Sequence, residues 1–413
     1  MANCFAEKGY TVLAVDTDRR LVDQINSGVD PYNEPGLQSI MKANIMAGKL
    51  KAVEDLRQAQ TRCDTFIISV PTPVRGTTPD LSALKEAVKA VANSLREGDM
   101  VVIVSSIPPG TINGEVTTIL ENRSGLKAER DFALAYCPER IAPSNALSDI
   151  AEVPRLIGGV GTASTERALQ LFGKICKKVV ATNATTAEVS KLAENTFRDV
   201  NIAFANELAL LCEKIGVDCK QVIAAANTHP RVNILNPGPG VGGPCIPKDP
   251  WLLIAVDPEF SASGVMAASR ARNDGMPDHI LELSMKAVTS AGKVDRVCVF
   301  SIMGTAYKAG LNDTRLSPSE PVIRGLIKRG HTVRAYDPYS KEAFGAQPAS
   351  TLREALNGAD CMIMMTDHSE NRQIDLSICK GYMADKPAIV DGRRIIDPLR
   401  ARMLEFAYYG VGC

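Results

Sequence analysis

The stretch from Pro237 to Pro250 presents a single cysteine at the end of a backbone almost bare of side chains. Glycines at 238, 240, 242 and 243 let main chain approach a ligand closely, while prolines at 237, 239, 244, 247 and 250 remove freedom from the same segment. The Cys245 thiol is thereby aimed in one direction, as a positioned nucleophile must be. Lys248 and Asp249 follow it, a cation that favours thiolate and a carboxylate that can handle protons. The plainer reading is a surface loop with an incidental cysteine. A phosphate-cradle reading of the glycines fails. Such a cradle follows a hydrophobic strand and opens a helix, whereas this loop follows Asn227-Thr-His-Pro-Arg-Val-Asn-Ile-Leu-Asn and runs into prolines.

A second group lies upstream. From about Thr185 to Ile215 the pattern is helical and stops at Gly216, and along it Lys191, Asn195 and Arg198 recur at i, i+4 and i+7. They share one face and point at a common ligand; the competing reading is a solvated polar stripe. Val189, Leu192, Phe197, Ile202 and Phe204 are interleaved with them, which predicts a helix buried between domains. A buried cation and amide need partners, and the Cys245 loop is the natural neighbour.

The rest of the chain must hold these groups. Its 413 residues predict about two or three domains. Lys+Arg and Asp+Glu both number 47, so no global field draws the protein to nucleic acid or to an anionic membrane; an anionic ligand must be met by local arginines. Eleven cysteines without a CxxC pair predict reduced thiols in a cytoplasm, with Cys176, Cys212, Cys298 and Cys361 in the core. No leader and no membrane-spanning run are expected.

Met1 to Lys8 reads as the tail of a helix, Gly9 as its stop, and Tyr10 to Asp16 as a buried strand ending in an acid. In a dinucleotide-binding unit such an acid bonds the adenine ribose, and the first strand and its Gly-x-Gly-x-x-Gly turn lie about 20 residues earlier. The chain is therefore expected to begin after that strand and turn. Thr65–Val70 runs into Pro71-Thr72-Pro73, and Met100–Ser105 into Ser106-Ile-Pro-Pro-Gly-Thr111, so Thr72 and Thr111 are candidate cofactor contacts at strand ends, or else local caps. Phe132 to Arg140 and Pro154 to Gly159 continue the pattern. A final α/β unit begins near Lys293, with strands at Arg296–Ser301, Thr332–Asp337, Cys361–Thr366 and Ala388–Asp391; Tyr307-Lys308, Asp313-Thr314-Arg315 and Arg393-Arg394 ring a nucleotide-sized crevice. The expected fold is α/β, with two Rossmann-like doubly wound domains joined by the long helix and a helical middle domain. Its boundaries fall at 1–175, 176–290 and 291–413.

Taken together, Pro71-Thr72-Pro73, Pro109-Gly110-Thr111, Pro138-Glu139-Arg140, Lys191-Leu-Ala-Glu-Asn195, Gly242-Gly243-Pro244-Cys245-Ile-Pro-Lys248-Asp249 and Asp313-Thr-Arg315-Leu-Ser-Pro318 resemble the UDP-glucose/GDP-mannose dehydrogenase family over essentially the whole chain. His229-Pro230-Arg231-Val232-Asn233 and Asp249-Pro250-Trp251 look like its N-acetylmannosamine branch rather than its UDP-glucose branch. The resemblance implies a four-electron oxidation of a UDP-sugar C6 alcohol to a carboxylate with two NAD, through a thiohemiacetal and then a thioester on Cys245. It implies Lys191 and Asn195 as oxyanion donors, Asp249 and Glu139 as acid/base groups acting through water, and Thr111 near that water. For the substrate it nominates Arg140, Ile141, Lys191, Asn195, Arg198, His229, Arg231, Gly242, Tyr307, Lys308 and Arg393; for NAD, Asp16, Thr72, Thr111 and Arg315; and no metal. It further implies a homodimer or larger, with the long helix at its core and Arg231 reaching a neighbouring subunit. UDP-glucose or UDP-N-acetylglucosamine as substrate, a single-step dehydrogenase, and a non-catalytic nucleotide-sugar-binding subunit stay open. With the first strand and glycine turn absent, weak NAD binding is expected.

Overall fold

The computed structural model describes residues 1–31, 34–58, 63–141 and 145–413 and divides into two units, Met1–Ala193 and Glu194–Cys413.

In the first unit the helix Ala2–Glu7 ends before Gly9, whose φ of 93° releases the chain into β1, Val12–Val15. β1 pairs in parallel with β2, Leu50–Val53, and the Asn26 amide clasps the Ala52 backbone from both sides at 3.0 and 2.8 Å. The main sheet contains β3 (Thr65–Ile68), β4 (Met100–Ile103), β5 (Ala133–Tyr136), β6 (Arg155–Gly159) and β7 (Val179–Asn183), in that spatial order. β3, β4 and β5 are parallel, β6 runs against β5, and β7 follows β6. Both faces of β4 and β5 are buried, which is why they read as unbroken apolar runs. β1 and β2 form a ladder of their own: among the described residues no strand joins β1 to β3, and Val15 is exposed. Phe5 nevertheless packs with Met100, Val102, Ala135 and Phe172, so the N-terminal helix belongs to the same core.

The long helix spans Ala184–Ile215 and stops at Gly216, whose φ is 74°. Leu192 is buried in it, but Val189, Phe197 and Phe204 are exposed, so the expectation that they lie buried between domains is corrected. With Leu211 and Ile215 they form one stripe at helical spacing that the chain's own core does not cover.

In the second unit β8 (Val299–Met303), β9 (Thr332–Tyr336), β10 (Gln347–Pro348), β11 (Cys361–Met364), β12 (Ala388–Asp391) and β13 (Ala407–Gly410) form one parallel sheet, in the order β10-β9-β8-β11-β12-β13. The chain starts in the middle, winds outward one way and returns to wind the other. The crevice of such a sheet lies between β8 and β11, at their carboxyl ends. Tyr307 and Lys308 follow β8 there, and the Thr366 hydroxyl donates to the Ala306 carbonyl at 2.5 Å across the gap. Cys176, Cys212, Cys298 and Cys361 are all core residues, and none of the eleven cysteines is in a disulfide.

Candidate active site

The glycines of the Cys245 loop are required by what they touch. A Cβ on Gly242 would stand 2.6 Å from the Tyr307 Cβ and 2.7 Å from the Leu316 carbonyl oxygen. One on Gly243, where φ is 90°, would meet the Tyr307 ring at 2.6 Å. The Gly243 amide donates to the Arg315 carbonyl at 2.9 Å, and the Gly238 amide to Asn206 Oδ1 at 2.8 Å. The loop is thus pressed onto Tyr307 and the 313–318 segment, and Cys245 emerges exposed. Its carbonyl accepts from the Lys248 and Asp249 amides at 3.1 and 2.9 Å, opening the short helix Asp249–Ile254.

Next along the second unit is a chain of polar contacts centred on Asp249. Asp249 is fully buried, and its Oδ2 accepts from Asn195 Nδ2 at 2.6 Å. Its Oδ1 accepts no hydrogen bond and faces the Lys248 ammonium at 3.4 Å. Asn195, itself buried, accepts from the Arg198 guanidinium through Oδ1. A buried carboxylate needs partners, and the Asn195 amide and the Lys248 ammonium supply them.

Tyr307 is half-buried; burial, then the charges of Asp313 and Cys245, push its phenol above the ordinary range, so it stays protonated beside the thiol. Asp313 clasps Arg315 with bonds of 2.9 and 3.1 Å, which raises the guanidinium further, and Cys245 adds to the effect. Arg393 donates to the Met365 carbonyl at 2.9 Å and to the Tyr307 carbonyl at 3.3 Å; burial pulls its pKa down, opposed by Asp367. Cys245, Asp249, Asn195, Arg198, Gly242, Tyr307, Arg315 and Arg393 are therefore linked through direct contacts or shared neighbours. Lys308 is exposed. His229 and Arg231 lie outside this group, exposed in a turn where the Arg231 amide donates to His229 Nδ1 at 3.3 Å. Asn201 and Asn227 pin the segment after that turn.

In the first unit the predicted residues gather at the carboxyl ends of β1, β3, β4 and β5. Asp16 is exposed and accepts from the Asp18 amide at 2.9 Å. Thr72 donates to the Ser106 carbonyl and Thr111 to the Pro108 carbonyl, both at 2.5 Å, so Thr72 ties two strand-end loops together and Thr111 closes its own turn. Glu139 accepts from Arg155 at 3.0 and 3.2 Å and from the Arg140 and Ile141 amides at 2.9 and 3.2 Å, a carboxylate anchored as an acceptor. The Arg140 guanidinium donates to the Pro154 carbonyl, and Lys191 is half-buried.

Sequence reasoning missed Glu188. Fully buried, it accepts from the Gly110 and Ile112 amides at 2.6 and 2.8 Å and so ties the Thr111 loop to the long helix. Burial pushes its pKa up while those amides pull it down. Its spacing of three from Lys191 and seven from Asn195 was the available signal. It also missed Arg155, the buried partner of Glu139.

An exposed carboxylate at a strand end, as Asp16 is, suits a ribose diol, which fits a dinucleotide. The fold defines an α/β protein whose second unit is doubly wound around a nucleotide-type crevice, and models of known families match along the chain. Residues 1–176 match the UDP-glucose/GDP-mannose dehydrogenase family NAD binding domain, 185–274 its central domain, and 301–398 its UDP binding domain. The UDP-N-acetyl-D-mannosamine dehydrogenase of Pyrococcus horikoshii is 39% identical over 415 residues, covering 99% of this chain and 95% of that protein. The NDP-N-acetyl-D-galactosaminuronic acid dehydrogenase of Ralstonia solanacearum is 35% identical over 392 residues, covering 91% of this chain and 89% of that protein. A solved structure of the UDP-D-ManNAc dehydrogenase from P. horikoshii superposes with a TM-score of 0.93 at 38% identity, covering 100% of this chain and 96% of that one. The chain belongs to the UDP-glucose/GDP-mannose dehydrogenase family; it is an NAD-dependent oxidoreductase of UDP-sugars. Among the described residues no helix is long and apolar enough to cross a membrane.

Proposed function

We propose that this chain oxidises the C6 alcohol of UDP-N-acetylmannosamine to the carboxylate, in four electrons, through covalent adducts on Cys245. The observation that carries the reading is the exposed Cys245 on a glycine loop pressed against Tyr307, four residues before buried Asp249, which accepts from Asn195. The names of the P. horikoshii relative and structure support this choice of sugar.

Asp16, Thr72, Thr111 and Arg315 would hold NAD, which would supply the hydride acceptor for each of the two oxidations. Asp249, with Glu139 as a second acid/base group, accepts the alcohol proton. The Cys245 thiolate adds to the resulting aldehyde carbon, forming the C–S bond and an oxyanion. Asn195 spends one N–H on Asp249 and directs its other at that oxyanion, beside the Lys191 ammonium. Loss of a second hydride from the thiohemiacetal leaves a thioester. Water, deprotonated by a carboxylate, then adds to the thioester carbon, which breaks the C–S bond and returns the thiol.

Arg140, Ile141, Arg198, His229, Arg231, Gly242, Tyr307, Lys308 and Arg393 grip the UDP-sugar, arginine forks suiting its diphosphate. The division is 1–175 for NAD, 176–290 for catalysis and dimerisation, and 291–413 for UDP. The exposed stripe of Val189, Phe197, Phe204, Leu211 and Ile215 pairs with a second copy, so that Arg231 completes a neighbour's site. The enzyme works in the cytoplasm.

The test counts NADH formed per UDP-sugar consumed, with UDP-N-acetylmannosamine, UDP-glucose and UDP-N-acetylglucosamine offered separately. About two NADH per UDP-N-acetylmannosamine, with acid production lost in Cys245→Ala, are expected. One NADH per sugar, or acid production intact in the variant, refutes the covalent route. Preference for another sugar refutes the substrate.

A further inference from the structure

The second unit buries a histidine–carboxylate pair that the chemistry above does not use. Asp337 ends β9 and His368 lies beyond β11; both side chains are fully buried, so neither can touch a ligand in the crevice. Asp337 Oδ2 accepts from the Thr305 amide at 2.8 Å, the Ala306 amide at 2.9 Å and His368 Nε2 at 3.0 Å. Its Oδ1 accepts from the Tyr339 and Ser340 amides at 2.8 and 2.9 Å. His368 Nδ1 faces the Gly310 amide at 3.1 Å. An amide can only donate and a carboxylate only accept, so these partners assign a neutral imidazole with its proton on Nε2.

The pair therefore holds the segment after β8 at both ends. Asp337 grips residues 305 and 306, and His368 grips 310. Between those anchors lie Tyr307, whose ring backs the Cys245 loop, and Lys308. Burying a carboxylate and an imidazole is costly where an apolar pair would pack the same layers, so the pair's return is the geometry it imposes on the loop.

We propose that Asp337 and His368 are positioning residues for UDP recognition: together they set the Tyr307–Lys308 segment in its binding conformation without contacting the nucleotide. This deepens the reading above, resting on Tyr307 and Lys308 as UDP-sugar contacts.

Two substitutions divide the pair. His368→Gln keeps a donor where Nε2–H stands and loses the acceptor for Gly310; His368→Asn keeps an acceptor near Nδ1 and loses the donor to Asp337. Calorimetry with UDP alone reads binding, steady-state kinetics read turnover, and thermal melting verifies that each variant is folded. Each variant is expected to weaken UDP about tenfold and raise KM for the UDP-sugar in step. The KM for NAD and kcat at saturating sugar should stay within about twofold of the parent. His368→Ala should weaken UDP more than either. A folded variant with lower thermal stability but unchanged UDP affinity and KM overturns the proposal, leaving the pair merely structural. An unaltered protein that does not bind UDP overturns instead the reading of the crevice on which it rests.

Discussion

Replacing Gly243 by alanine tests whether the cysteine loop is held by contact with Tyr307. The φ of 90° at this position carries a penalty of about 1–2 kcal/mol for any L side chain. In addition the new Cβ would lie 2.6, 2.8 and 3.0 Å from the Tyr307 Cε2, Cζ and Cδ2 atoms. Carbon atoms rest about 3.5–4.0 Å apart, so the ring must swing or the loop must lift, at about 1–3 kcal/mol. The sum is about 2–5 kcal/mol. Gly330 supplies the control: its φ is 83° and a Cβ there would meet nothing within 4 Å, so Gly330→Ala carries the backbone penalty alone. Urea unfolding is followed by fluorescence of Trp251, the chain's one tryptophan, six residues beyond Cys245 in the helix that the loop opens. Gly243→Ala should unfold at clearly lower urea than Gly330→Ala and show a raised KM for UDP-sugar. Equal losses in the two variants would refute the packing argument, since only the ring contact distinguishes them.

Three further outcomes follow from the same geometry. Burial raises the Asp337 carboxyl, but hydrogen bonds from His368, Ala306 and Tyr339 outweigh it and hold the pKa at about 2 instead of 3.8. A folded pKa below the unfolded one gives stability that is present above the unfolded value and lost as pH falls through the folded one. Denaturation should therefore show about 2 kcal/mol disappearing between roughly pH 4 and pH 2, a dependence that Asp337→Asn flattens. A glutamate at Phe197 or Phe204 places charge in the exposed helical stripe and should convert the proposed dimer to monomer in light scattering; a mass equal to that of the parent would remove the stripe from the proposed interface. Iodoacetamide near neutral pH should label exposed Cys245 and Cys413 first, with activity lost as Cys245 reacts. Cys137, buried and pushed up to about 12, should stay unmodified until unfolding, and equal labelling in the native protein would contradict its placement.

Much of the architecture was legible because the strands at β4, β5, β8, β11 and β12 are mostly apolar runs ending in polar turns, a pattern that a parallel sheet covered on both faces imposes locally, while β3 and β9 alternate buried with half-buried positions. The short strands were not. Leu50–Val53 carries a lysine, Gln347–Pro348 is two residues long, and Val179–Asn183 is half polar, so each becomes a strand through its neighbour's ladder. The long helix was legible in extent, from its period and its terminal glycine, but not in exposure. Phe197 and Leu192 look alike in sequence, and only packing leaves one outside and the other in the core.

The sequence alone determined the nucleophile candidate and the rigidity of its loop, since glycine and proline act through local φ and ψ. It also determined the shared face of Lys191, Asn195 and Arg198, which follows from helical spacing, and the order of family motifs along the chain. Tertiary structure decided which polar groups are already committed: Glu139 to Arg155, Glu188 to the Thr111 loop, Asn195 to Asp249, and Asp337 to His368. Those pairs stand 16, 78, 54 and 31 residues apart in the chain, so nothing in local spacing could join them. A buried polar group must find its partner wherever folding brings one within reach.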